Sequence, residues 1–92
     1  MIYRRLKRFR KAFADLPPDI QAATFKAFRL FQTNPRHPSL GVKQMVGRPG
    51  IWEGRITLAY RFTFEYSTDP NTGERTCIFR NIGPHDILDR NP

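Results

Sequence analysis

The segment from Gly50 to Tyr66 constrains the fold more than any other, because it has the pattern of two neighbouring strands. Aromatic residues occupy positions 60, 62, 64 and 66 of its second half, and polar residues alternate with them. In the first half, Trp52, Ile56 and Leu58 share one face. Alternation of period two with aromatic and β-branched residues is typical of half-buried strands. We therefore predict a sheet with one aromatic face and one polar face, the latter carrying Glu53, Arg55, Arg61 and Glu65.

Two amphipathic helices are predicted before these strands. Apolar residues recur at spacings of three and four from about Arg5 to Leu16, and an apolar side also runs from about Pro18 to Gln32. Pro17-Pro18 separates the two helices, because proline suits a first turn and breaks a helix interior. Asn34-Pro35 ends the second helix. We expect the helices to form a hairpin that covers the aromatic face.

Three further short strands are predicted, at Ile2–Tyr3, Val42–Val46 and Thr76–Ile82. The order is then (β)ααββββ, an α+β fold in which an N-terminal helix hairpin packs on a small antiparallel sheet in two layers. With 92 residues, the chain is expected to form a single domain over 1–92.

Charge points to a polyanionic partner. Sixteen Lys and Arg residues against eight Asp and Glu give a net charge of +8, and arginine favours bidentate contacts with phosphate. Nucleic acid, an acidic protein and an anionic membrane surface are all compatible with this charge, as is a basic protein without such a partner.

The compartment is predicted from cysteine and hydropathy. Cys77 is the one cysteine, so no intramolecular disulfide can form, as is usual in a reducing compartment. The sequence has no apolar run of membrane-spanning length, and its basic N-terminus lacks the apolar core of a signal peptide. We expect a cytoplasmic protein with no membrane partner.

Most standard catalytic sites do not fit this sequence. It has no Cys or His cluster with metal-ligand spacing and no glycine-rich phosphate loop. Neither a metal nor another cofactor is therefore expected. The remaining chemistry lies on the polar face, with His85 just beyond the last strand. If that strand pairs with the Tyr60–Tyr66 strand, His85 falls near Arg61.

This set suits cleavage of RNA without a metal. In that reaction the 2′-hydroxyl attacks the adjacent phosphate, a base takes its proton and an acid protonates the leaving 5′-oxygen. Arg61 and Arg55 would stabilise the charge, His85 could serve either proton role, and Glu53 is a candidate base. Spacing alone supports equally well a simpler interpretation, in which the arginines form surface pairs with Glu53 and Glu65.

The chain resembles the RelE/ParE toxin superfamily, and most closely the RelE, YoeB and YafQ type of mRNA interferase. The resemblance covers nearly the whole chain and rests on four segments. These are the helix hairpin ending at Asn34-Pro35, Gly50-Ile-Trp-Glu-Gly-Arg-Ile56, Tyr60-Arg-Phe-Thr-Phe64 and Ile82-Gly-Pro-His-Asp86.

The resemblance implies a toxin of a type II toxin–antitoxin system that cleaves mRNA on the ribosome and is inhibited by an acidic antitoxin. Arg61 matches the family's arginine at the scissile phosphate, Arg55 a basic position, and His85 a general acid or base. At Glu53 some members carry lysine instead. Ile87 and Leu88 stand where many members have an aromatic residue that stacks on a base.

Contact with messenger and ribosomal RNA is expected at six basic residues: Arg5, Arg8, Lys11, Lys43, Arg48 and Arg80. Two other functions remain open. One is a ParE-like toxin that inhibits DNA gyrase without cutting RNA, against which His85 argues. The other is a basic nucleic-acid-binding module without toxicity.

Overall fold

The computed structural model describes residues 1–92, apart from the side chain of Ile87, so the expectation about that side chain lies outside the described residues. The strands are β1 (Ile2–Arg5), β2 (Lys43–Gln44), β3 (Trp52–Arg55), β4 (Tyr60–Thr68) and β5 (Arg75–Pro84). The helices are α1 (Lys7–Ala14), α2 (Pro18–Thr33) and α3 (His85–Arg90), and a 3-10 turn spans Pro38–Leu40. In the described part of the chain, none of these helices is long and apolar enough to span a membrane.

The five strands form one sheet in the order β1-β5-β4-β3-β2. Three neighbouring pairs are antiparallel, as predicted, whereas β1 runs parallel to β5. A parallel pair needs a long connection, and almost the whole chain lies between these two strands. The α+β class and the helix hairpin on the sheet are confirmed, but the sheet is mixed rather than purely antiparallel.

The core is built from phenylalanine rings of both layers. Phe31 of α2 meets the rings of Phe62 and Phe64 edge-on, at centroid distances of 5.6 and 4.9 Å. Phe28 of the same helix stacks on Phe79 of β5 at 4.4 Å. Burial of each such side chain contributes about 1.5–3 kcal/mol. The helix hairpin therefore covers the aromatic face, as the alternation of β4 predicts.

The strand β3 is shorter than predicted. It ends at Arg55, and the amides of Ile56 and Thr57 both donate to the Tyr60 carbonyl, which closes a turn. Leu58 lies in this turn with 84% of its surface exposed. The expectation that it shares the buried face of Trp52 is therefore wrong, because the chain leaves the pleat before reaching it.

The polar face carries a helix that the sequence analysis did not predict. The last strand extends to Pro84, two residues beyond its predicted end, and α3 follows directly. The α3 helix packs on β4 and β5, and its Leu88 is 2% exposed. Part of the polar face is therefore covered, and Thr63 on β4 is fully buried.

Candidate active site

Strand pairing brings the end of β5 beside the start of β4. Arg61 lies opposite Gly83, and the backbone amide of His85 donates to the Ala59 carbonyl at 3.1 Å. On the other side of β4, Arg61 lies opposite Arg55 of β3. The pairing that would bring His85 near Arg61 is therefore confirmed.

A cleft of about 280 Å³ opens between α3 and the strands β2 and β3. Its lining includes two of the residues predicted for proton transfer, Glu53 and His85, and two predicted for RNA contact, Lys43 and Arg48. Asp89 lines it as well. The structure thus joins a carboxylate, an imidazole and two cationic side chains around one opening.

The two proton-transfer candidates differ in exposure. Glu53 is only 7% exposed, and its Oε1 lies 3.9 Å from Nζ of Lys43 on the adjacent strand. His85 is largely exposed at the start of α3, with Nδ1 at 3.9 Å from Oδ2 of Asp89 one turn later. A neighbouring carboxylate can orient an imidazole. Each candidate therefore has a charged side chain close to it within the cleft.

Arg48 connects the β2–β3 loop with the end of α3. Its Nη2 donates to the carbonyl oxygens of Asp89 at 3.1 Å and Arg90 at 3.5 Å. The last carbonyls of a helix lack partners within the helix, so a guanidinium at this position stabilises the helix end. Arg48 thereby holds one wall of the cleft in position, a role not expected from the sequence.

Arg61 and Arg55 do not belong to the lining of this cleft as the structure describes it. Arg61 uses Nη1 to donate to the carbonyls of Thr57 at 2.8 Å and Leu58 at 2.9 Å, which fastens the β3–β4 turn. The guanidinium of Arg55 lies over Gly41, about 3.5 Å from where a Cβ at that position would stand. The arginine pair therefore adjoins the His85 end of the sheet without entering the cleft.

The six residues expected to contact RNA are distributed over separate parts of the surface. Lys43 and Arg48 belong to the cleft, whereas Arg5 and Lys11 are exposed on the N-terminal strand and helix. Arg8 points to the C-terminal segment, where Nη1 donates to Oδ1 of Asn91 at 2.9 Å. A single surface containing all six is therefore not formed.

Arg8 and Arg80 are largely committed to internal contacts. Nε of Arg8 donates to the Arg80 carbonyl at 3.0 Å, both side chains donate to the Pro92 carbonyl, and Arg80 also pairs with Glu65. Burial lowers the pKa of the Arg8 guanidinium, and the charge of Arg80 lowers it further. Arg80, which was expected to contact RNA, thus forms an ion pair with Glu65 within the protein.

Asp89 was missed because the sequence analysis assigned no helix after β5. The spacing of four residues from His85 to Asp89 is the signal that would have found it, since side chains four apart meet on a helix. In the described side chains, no three His, Cys, Asp or Glu residues come together as metal ligands would.

The similarity of this chain to known proteins is found in comparisons of structure. No protein-family model matches the chain, and no curated protein matches it either. Solved structures do match. The YoeB/ParE toxin from Agrobacterium tumefaciens is 16% identical with a TM-score of 0.71, and the match covers 92% of this chain and 99% of that one.

Two toxin–antitoxin complexes also contain chains that match this one over nearly its whole length. The RelB–RelE complex from Methanococcus jannaschii matches with 20% identity and a TM-score of 0.67, covering all of both chains. The DinJ–YafQ complex from E. coli matches with 11% identity and a TM-score of 0.73, covering 94% of this chain and 93% of that one. The chain therefore has the fold of the RelE/ParE toxins.

Proposed function

We propose that the protein is a toxin of a toxin–antitoxin system that cleaves mRNA by metal-independent transesterification. One observation carries the proposal: the cleft beside α3 contains Glu53 and His85 together, with Lys43 and Arg48 at the same opening. A carboxylate and an imidazole are among the groups that commonly serve as general base and general acid. The similarity to RelE, YoeB and YafQ structures supports the same function.

The proposed reaction breaks one bond and forms one. The RNA 2′-oxygen attacks the adjacent phosphorus, its proton passes to the base, and the bond from phosphorus to the 5′-oxygen breaks. The leaving 5′-oxygen takes a proton from the acid, so the products are a 2′,3′-cyclic phosphate and a 5′-hydroxyl. His85, the more exposed of the pair, is our choice for the acid. Glu53 is the candidate base, with Lys43 beside it.

Arg61 is assigned to the phosphate. Its Nη1 is anchored on the carbonyls of the β3–β4 turn, and a guanidinium fixed through one nitrogen can present its remaining N–H groups to an anion. Arg55 is the cross-strand neighbour of Arg61, with its guanidinium over Gly41, and we assign it a supporting role as a second positive charge near the phosphate. Stabilisation of the developing phosphorane charge is commonly the largest single contribution to catalysis.

An acidic antitoxin is the proposed regulatory partner, because the net charge is +8 and several of the similar structures are toxin–antitoxin complexes. A groove between α1 and α2 suits such a partner. Phe25 is exposed there beside Phe13 at a centroid distance of 5.4 Å, and Arg5 and Arg10 border it. The ribosome is proposed as the site of cleavage, with the exposed basic side of α1 available for ribosomal RNA.

The decisive experiment is primer extension of mRNA after induction of wild type, Arg61→Ala and His85→Ala, with cleavage of ribosome-bound and free mRNA compared in vitro. We expect mRNA cleavage and growth arrest with wild type, and loss of at least 100-fold in cleavage rate for each variant. Lys26→Ala removes an exposed charge on α2 and should remain as toxic as wild type.

Three results would contradict the proposal. If Arg61→Ala and His85→Ala remain as toxic as Lys26→Ala, these residues do not carry the activity. If mRNA stays intact while DNA damage signalling rises and gyrase is inhibited, the protein is a ParE-like toxin. Salt-sensitive binding of nucleic acid without growth arrest would indicate a binding module instead.

A further inference from the structure

A second cleft, larger than the first, lies on the helix side of the sheet. It encloses about 740 Å³ between the loop that follows α2 and the strands β3, β4 and β5, and Trp52, Tyr66, Arg75, Arg36 and His37 are among its lining residues. Trp52 and Glu53 are neighbours on β3, so their side chains leave opposite faces of the sheet. The cleft is therefore separate from the candidate active site.

Two aromatic rings form the floor of this cleft. The Trp52 ring stacks on Phe64 at 6.5 Å with an interplanar angle of 19°, and the Tyr66 ring meets Phe64 edge-on at 5.6 Å. Both rings are half buried against the core. A ring held on one side by the core and open on the other is the kind of platform on which a nucleobase stacks.

Cationic groups surround these rings. The guanidinium of Arg75 lies 4.5 Å from the centre of the Tyr66 ring, within cation–π range. Arg36 is exposed on the opposite loop. The lining, as far as the structure describes it, contains no acidic residue. An anionic ligand would therefore meet only attractive or neutral groups.

His37 adds a directed hydrogen-bond donor. The backbone amide of Ser39 donates to Nδ1 of His37 at 3.2 Å. A ring nitrogen that accepts a hydrogen bond carries no proton, so the neutral imidazole bears its proton on Nε2. Because His37 lines the cleft, this N–H group is a candidate donor to a phosphate oxygen or a base carbonyl.

We propose that this cleft binds a short segment of single-stranded RNA, with one base stacked on Trp52 and the adjacent phosphates at Arg75 and Arg36. Its volume exceeds that of one nucleotide, and aromatic platforms bordered by cations are the recurring means of binding single strands. An acidic peptide would use the arginines but gain little from the open face of an indole. The inference goes beyond the proposed function, because binding here requires no cleavage.

The test is a fluorescence titration with a 2′-O-methyl RNA hexamer, which lacks the attacking hydroxyl and stays intact. Trp52 is the single tryptophan of the chain, so its emission reports on this cleft alone. We expect saturable quenching by the hexamer. A backbone of equal length without bases should bind at least tenfold more weakly and quench little, because stacking contributes a factor of this order per base.

The double variant Arg36→Gln/Arg75→Gln should bind the hexamer at least tenfold more weakly, with a reduced dependence of affinity on salt. Lys26→Gln/Arg29→Gln removes the same charge from exposed positions of α2 and should retain most of the affinity. Trp52→Leu should lower the affinity measured by anisotropy of a labelled hexamer. If Trp52→Leu does not fold, the double arginine variant and the abasic backbone still test the proposal.

Three results would overturn the inference. They are equal affinity for the abasic backbone, equal weakening by both double variants, and displacement of the hexamer by hexaglutamate at a comparable concentration. The last would identify the cleft as a site for an acidic protein. Because the probe cannot be cleaved, failure of this binding leaves the proposed ribonuclease activity intact, and loss of that activity leaves the binding measurable.

Discussion

The ring of Phe62 lies directly over the backbone of Gly54 on the neighbouring strand. A Cβ at position 54 would stand 2.4 Å from Cζ and 2.5 Å from Cε1 of that ring. Phe62 is fully buried between α2 and β5, and its ring contacts those of Phe28 and Phe31. The ring has no room to withdraw, so glycine at position 54 is a requirement of packing.

We therefore expect Gly54→Ala to lower the free energy of unfolding by about 1–3 kcal/mol through overpacking. Chemical denaturation measures this loss. Gly83→Ala is the control, because a Cβ there would meet no atom within 4 Å, and it should cost much less. Adding Phe62→Leu to Gly54→Ala should relieve part of the clash. A double-mutant cycle should therefore show that the two substitutions are not additive. Simple additivity would show that the two residues do not clash.

Leu88 anchors α3 on the polar face of the sheet. Its side chain is almost completely buried, so Leu88→Ala should cost about 2–5 kcal/mol, the range for removing a buried leucine. Hydrogen exchange should become faster in α3. Leu58→Ala, at an exposed leucine in the β3–β4 turn, should change stability by less than about 0.5 kcal/mol. Equal effects of the two variants would show that α3 does not pack as the structure has it.

Arg8 connects α1 with β5 and the C-terminal segment through donors to the Arg80 carbonyl, Asn91 and the Pro92 carbonyl. Arg8→Gln should lower the free energy of unfolding by about 1–2 kcal/mol, because hydrogen bonds from a charged donor are lost. Lys11→Gln on the exposed side of α1 is the matched control. If stability is unchanged while RNA binding weakens, Arg8 serves RNA contact, as the sequence suggests, rather than the fold.

Cys77 makes stability sensitive to alkaline pH. Burial raises the pKa of its thiol to about 12, from an ordinary value of 9.0. The folded state therefore holds this proton more tightly than the unfolded state, so the contribution is fully present below pH 9 and is lost as the pH rises towards 12. Wild type should lose more stability than Cys77→Ala across that window. Burial also raises the pKa of Tyr66, and the charge of the Cys77 thiolate raises it further, so the substitution reduces the alkaline loss at both groups.

The buried thiol should also react slowly. A thiol that stays protonated at neutral pH is a poor nucleophile, so native protein should resist alkylation that unfolded protein undergoes readily. Mass spectrometry after treatment with iodoacetamide measures the ratio of the two rates. Rapid labelling of the native protein would show that Cys77 is accessible.

Local pattern was enough to predict much of this protein. The alternation along β4 and the apolar spacing of α1 and α2 predict which faces meet, because side-chain direction within a strand or helix follows from its own period. Pro17-Pro18 and Asn34-Pro35 likewise mark the helix ends from local backbone restrictions. The α+β class followed from these segments, and the resemblance to RelE/ParE toxins from them together with Gly50–Ile56 and Ile82–Asp86.

Tertiary structure decided what lies on the polar face. Glu53 was expected on an open surface, but α3 and Lys43 enclose it. Arg61 nearby donates to the backbone carbonyl of Thr57. The contacts around Glu53 join residues that are distant in sequence. Their free energy depends on how the whole chain packs rather than on the periodicity of any one segment. The sequence by itself determined two layers and their faces, whereas only packing of the chain's last residues onto the sheet decided which charged groups share a cleft.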